Sequence, residues 1–225
     1  MGKILQKEME ELKKMFFQLG TLVEEAFQNC VKSLETRDSK LAKEVIDGDP
    51  KIDALEVHLE EECLKILALH QPVAFDLRFI IALLKINNDL ERIGDLAVNI
   101  AKRALKLSKQ NSNYFPLNFK EMINKTKEML GKSLDALTEY DSQMAYQVCA
   151  ADDEIDEINR KLYSQIKEEI RSQPDQLDPF IHFLSISRFL ERIADHATNM
   201  AEDVIYLVEG EIIRHKTEDL KAVKN

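Results

Sequence analysis

Leu90-Glu91-Arg92-Ile93-Gly94-Asp95 and Leu190-Glu191-Arg192-Ile193-Ala194-Asp195 lie one hundred residues apart in this 225-residue chain and differ only at Gly94 against Ala194. Outward from these cores, residues 81–101 also match residues 181–201 at Ile81, Leu84, Ile86, Ala97, Asn99 and Ala101. A second block repeats at a slightly different offset. Leu34, Asp38, Ser39, Ala42, Val45, Asp49, Ile52 and Asp53 match Leu137, Asp141, Ser142, Ala145, Val148, Asp152, Ile155 and Asp156. Two blocks recurring in the same order are the signature of a tandem duplication.

The repeated unit is helical. Leu12, Phe16, Leu19, Val23, Phe27, Cys30 and Leu34 recur at steps of three and four residues, which predicts a helix over 3–34. Asp38 is a good N-cap for a second helix that ends at Gln71-Pro72, with a kink or short break expected at Gly48-Asp49-Pro50. A third helix runs from about Ala74 to about Lys109, and residues 110–116 read as a linker. Three further helices follow, over 118–139, 141–172 and 179–209. Pro174 and Pro179 bracket the last turn, and Gly210 precedes a charged tail. The fold class is therefore all-α, six long helices in two three-helix bundles. The first bundle spans 1–110 and the second 117–210, with a tail over 211–225.

Composition agrees. Six Gly and five Pro leave too little turn chemistry for a sandwich or barrel. The 41 acidic against 31 basic residues give a net charge of −10, which argues against a nucleic-acid binder, since that would carry a basic stripe. Cys30, Cys63 and Cys149 form no C-x-x-C pair and sit among apolar residues, so packing in a reducing compartment is expected. The N-terminus lacks an apolar signal core, and the longest apolar run, Phe79 to Leu84, is far too short to insert in a membrane. The chain reads as soluble and cytoplasmic.

Chemistry concentrates in acidic-x-x-x-Asp pairs: Asp49/Asp53 and Glu91/Asp95 in the first half, Asp152/Asp156 and Glu191/Asp195 in the second. Residues four apart share one helix face. Glu91, Asp95 and Asn99 form such a stripe, as Glu191, Asp195 and Asn199 do. Leu90, Ile93, Ala97 and Ile100 face nearly the opposite way, so the carboxylates lie outside the core or in a groove between two helices. Glu56 and Glu60 extend the stripe of the second helix, and Glu202 and Asp203 that of the last. Like charges at this spacing repel unless a cation sits between them, and oxygen-only donors suit Mg²⁺, Mn²⁺, Ca²⁺ or ferric iron. A single pair would read as a solvated face with Arg92 or Arg192 as counter-charge. Four pairs at matched places favour metal.

His196 is a further candidate ligand, as is Asp203, although Leu96 stands where the repeat would place a partner for His196. Glu-x-x-His, G-x-x-x-x-G-K-[ST] and G-x-G-x-x-G do not occur, and no Ser-His-Asp or Cys-His arrangement is visible. The chain is therefore read as non-enzymatic. The alternative is a metal-dependent, phosphatase-like hydrolase using surface carboxylate-bound ions.

Gln71-Pro72-Val73-Ala74, Asp76-Leu77-Arg78, LERIGDLAVNIAKRAL at 90–105, LERIADHATNMAEDVIYLVEGE at 190–211 and His215 together resemble the PhoU family of bacterial phosphate-specific transport. The resemblance covers essentially the whole chain. It implies two three-helix bundles related by a pseudo-twofold, commonly in a homodimer. It also implies multinuclear clusters of divalent or trivalent ions (iron, zinc, manganese or magnesium) on Asp49, Asp53, Glu91, Asp95, Asp152, Asp156, Glu191 and Asp195, with Asn99 and Asn199 in phase. Pro50 falls inside the first motif. The implied function is negative regulation of phosphate uptake and phosphate-starvation signalling, linking the ATPase subunit of the phosphate ABC transporter to a sensor histidine kinase.

Overall fold

The computed structural model describes residues 3–110 and 114–213, so the tail beyond Ile213 lies outside the described residues. It consists of α1 (Lys3–Thr36), α2 (Ser39–His70), α3 (Ala74–Leu107), α4 (Phe119–Glu139), α5 (Ser142–Ser172), a 3-10 turn (Pro174–Gln176) and α6 (Leu177–Glu209). Among the described residues there is no strand. Nor is there a helix long and apolar enough to cross a membrane.

Local chemistry sets the boundaries. Asp38 accepts hydrogen bonds from the backbone N–H groups of Lys40 and Leu41 at the start of α2. Asp141, its repeat counterpart, accepts from Met144 N–H at the start of α5. Each satisfies donors that a helix N-terminus leaves unpaired. Gly210, at φ 77°, ends α6 in the left-handed conformation that glycine adopts without strain. Arg37 donates from Nη1 to the Leu107 carbonyl at 2.6 Å, capping the C-terminus of α3 from the α1–α2 turn.

Of the kink or short break expected in the second helix, the break is not present: α2 is helical from Ser39 to His70 with Pro50 inside it. The ring of Pro50 is exposed, so water can take the carbonyl that loses its N–H partner. Buried Ala42 and Val45 before it, and Ile52 and Leu59 after it, keep both segments packed. Helix α6 starts two residues before the expected Pro179, which occupies the first turn, where its missing N–H costs nothing. Tyr114 and Phe115 of the expected linker are half-buried and pack against the core. Tyr114 meets Phe180 edge-on at 4.8 Å, and Phe115 meets Phe119 at 5.5 Å. Cys30 and Cys63 are buried and free, and Cys149 is half-buried and free.

Helices α1, α2 and α3 pack as one bundle and α4, α5 and α6 as another, joined mainly by α3 against α6. Across that seam Lys85 meets Asp203 at 3.0 Å, His196 donates to Asp89 at 2.8 Å, and Arg103 donates to His182 at 3.3 Å. Residue numbers rise along α3 as they fall along α6. Shifting one helix forward and the other back by the repeat length returns the seam onto itself, which is the pseudo-twofold. Ile93 and Ile193, both fully buried, lie beside its axis.

Candidate functional site

The carboxylates lie in two grooves, one between α2 and α3, the other between α5 and α6. Close helix approach forms the first. A Cβ added at Gly94 would meet Ile52 Cδ1 and Cγ2 at 3.3 Å, so the missing side chain lets α2 lie tightly on α3 at the level of Asp53 and Asp95. One turn further along α2 and two turns back along α3, buried Asn87 donates to the Glu56 carbonyl and to Glu56 Oε1, both at 3.0 Å, which fixes the register of the two helices.

Charge coupling records which residues the fold brings together. Asp49 is pushed above the usual carboxylate range by burial, then by Asp53 and Asp95, against Lys102. Glu91 is raised by burial; Asp95, Asp53 and Asp49 add to this, while Arg92 opposes it. Glu56 is raised by burial and by Glu60, Glu91 and Asp53. Asp49, Asp53, Glu91 and Asp95 thus act on one another across one groove, with Glu56 at its edge. Arg92 pairs with Glu91 at 3.3 Å and Asp95 at 3.4 Å, an exposed arrangement that contributes little to stability.

The second groove repeats the first. Asp195 is pushed up to about 6 by burial, then by Glu191, Asp152 and Asp156. Glu191 is raised by burial and by Asp156 and Asp152, with Arg188 and Arg192 opposing. Asp152 is raised by burial, although Thr198 donates to its Oδ1 at 3.2 Å. Asn99 is half-buried and Asn199 exposed, each one turn beyond its stripe's aspartate.

The donors fit a hard cation. They are all oxygen, they repel one another, and Asp49 Oδ1 is a buried carboxylate oxygen without a hydrogen-bond partner. Among the described residues no three His, Cys, Asp or Glu side chains converge on one point as they stand. The carboxylates act on one another across the groove, and an ion bound there would draw them inward.

His196 and Asp203 belong elsewhere. They are seven residues apart on α6 and face α3, where His196 donates to Asp89 and Asp203, only 2% exposed, pairs with Lys85. The structure thus places the further candidate ligands His196 and Asp203 in contacts between the halves. Sequence reasoning also missed Asn87 and Thr198. Asn87 carried a signal, being polar in the apolar series Leu83, Ile86 and Leu90; Thr198 has no polar counterpart, since Val98 stands in its place.

Known proteins resemble the chain along most of its length. A family model described as PhoU domain matches residues 16–104 and 119–204. The phosphate-specific transport system accessory protein PhoU homolog of Aquifex aeolicus is 40% identical over 212 residues, covering 93% of this chain and 95% of that protein. The homolog of the same name from Clostridium acetobutylicum is 34% identical over 209 residues, covering 92% and 95%. The crystal structure of PhoU from Pseudomonas aeruginosa superposes with a TM-score of 0.89 at 34% identity, over 92% of this chain and 99% of that one. A phosphate transport system regulatory protein PhoU from Streptococcus pneumoniae gives 0.82 at 31% identity, over 92% and 98%.

Proposed function

The chain belongs to the PhoU family, and from that membership we propose that this accessory protein of phosphate transport is a metal-loaded negative regulator of phosphate uptake and phosphate-starvation signalling. The observation that carries the reading is the pair of matched, oxygen-only grooves, with the unpaired Asp49 Oδ1 in one and the raised carboxyl of Asp195 in the other. Asp49, Asp53, Glu91 and Asp95 would hold ions between α2 and α3, and Asp152, Asp156, Glu191 and Asp195 between α5 and α6. Asn99 and Asn199 would complete the shells. A cation supplies positive charge that cancels carboxylate repulsion and ties two helices of each bundle into one arrangement. The protein, as a homodimer, would then present fixed helix faces to two partners: the ATPase subunit of the phosphate transporter and a sensor histidine kinase.

Pull-down tests this. With Mn²⁺ or Mg²⁺ present, the purified protein is expected to retain both the ATPase subunit and the kinase, and to lose them after chelation. Failure to bind either partner in the presence of metal overturns the adaptor role.

A further inference from the structure

Beyond the carboxylates the two halves diverge. In the first half, Asn87 bonds to Glu56 and bridges the space between α2 and α3. Their repeat counterparts are Ser187 and Asn159. Ser187 turns its hydroxyl back to the Leu184 carbonyl at 3.0 Å, and a groove of about 790 Å³ opens between α5 and the first half of α6. Arg160 enters this groove from α5 and Arg188 from α6, where the first half has Val57 and Asn88.

Neither guanidinium lies within ion-pair distance of a carboxylate among the described residues. Arg160 uses its Nε–H on the Asp156 carbonyl at 3.3 Å, and its other donors remain for a ligand. In a chain of net charge −10, two arginines on facing helices, each offsetting one carboxylate of its own helix (Glu157 for Arg160, Glu191 for Arg188) without a direct ion pair, form a local site for an anion. Two guanidinium forks call for several oxygens on one centre, as a phosphate monoester dianion provides. The groove is far larger than one phosphate. Its outer wall is Tyr163, 61% exposed, and Ile181, 43% exposed. Glu191 closes the end nearest the carboxylates and repels an anion there, which directs the body of a ligand towards Tyr163 and Ile181.

We propose that the groove between α5 and α6 binds a phosphate monoester with an aromatic or apolar body, gripped by Arg160 and Arg188. This site goes beyond the regulatory role and rests on neither the metal nor the two protein partners. Calorimetric titration of the full chain in EDTA at neutral pH, with phenyl phosphate and with inorganic phosphate as probes, tests it. Phenyl phosphate is expected to bind one to one, about tenfold tighter than inorganic phosphate because its ring covers apolar wall. The double variant Arg160→Val/Arg188→Asn, which installs the first-half residues at two exposed positions, is expected to keep its helical circular dichroism and lose about a hundredfold in affinity. Absence of heat with both probes overturns the site, as does unchanged affinity in the folded double variant. Equal affinity for the two probes overturns the organic-ester assignment in favour of free phosphate.

Discussion

At the residue scale, burial of the carboxylates and then their mutual repulsion make stability depend on pH in a direction opposite to that of an ordinary salt-bridged acid. The Asp195 carboxyl, at about 6 in the folded protein against 3.8 for an unperturbed aspartate, holds a proton that the unfolded chain has already lost. Between about pH 4 and 6 the folded state therefore binds more protons, and stability falls as pH rises through that window. Chelated protein is expected to melt at a higher temperature at pH 5 than at pH 7, with Asp195→Asn reducing the difference; a melting temperature rising from pH 5 to pH 7 contradicts the coupling. Saturating Mn²⁺ is expected to raise the melting temperature at pH 7, because an ion that binds only the folded state stabilises it by about 2.7 kcal/mol at a hundred times its Kd.

At the element scale, the groove depends on how closely two helices lie. Gly94→Val would push side-chain atoms into Ile52, already 3.3 Å from a Cβ at that position, and is expected to cost about 1–3 kcal/mol in denaturant unfolding. It should also weaken Mn²⁺ binding by the first groove while leaving the second unchanged. Asp38→Ala and Asp141→Ala remove matched N-caps and are each expected to cost about 1 kcal/mol. Most of these elements were legible in the sequence, because apolar residues at helical spacing, caps and prolines mark helices locally. A break at Pro50 was a possible reading because local chemistry registers the lost hydrogen bond, whereas packing on both sides of it carries the helix through. The carboxylate stripes were legible for the same reason as the helices: a spacing of four places residues on one face. What packs against a face is a tertiary fact. Asp203 could therefore be assigned to a stripe and His196 named a further candidate ligand from the sequence, and in the fold they meet Lys85 and Asp89 across the seam.

At the scale of the whole molecule, α3 and α6 serve both as the inner helices of their bundles and as the contact between them. Damage to one bundle should therefore be felt by the other. Phe183 is buried among Tyr114, Phe115 and Phe119, with ring centroids at 5.7, 5.6 and 5.3 Å. Phe183→Ala is expected to cost about 3–5 kcal/mol and to lower a single unfolding transition followed by circular dichroism and tyrosine fluorescence alike. Two separated transitions would mean that the halves fold independently. The duplication was visible from Leu90 to Asp95 and Leu190 to Asp195, but the antiparallel seam was not. Its contacts Lys85–Asp203, Asp89–His196 and Arg103–His182 join residues with no repeat relationship to one another.

Calorimetric titration of the chelated protein with Mn²⁺ tests the central claim most directly. The wild-type chain should bind metal in both halves. Asp53→Asn/Asp95→Asn should abolish binding in the first half only, and Asp156→Asn/Asp195→Asn in the second only. No heat of binding, together with a melting temperature that Mn²⁺ leaves unchanged, would contradict the claim that the duplicated carboxylate grooves are metal sites.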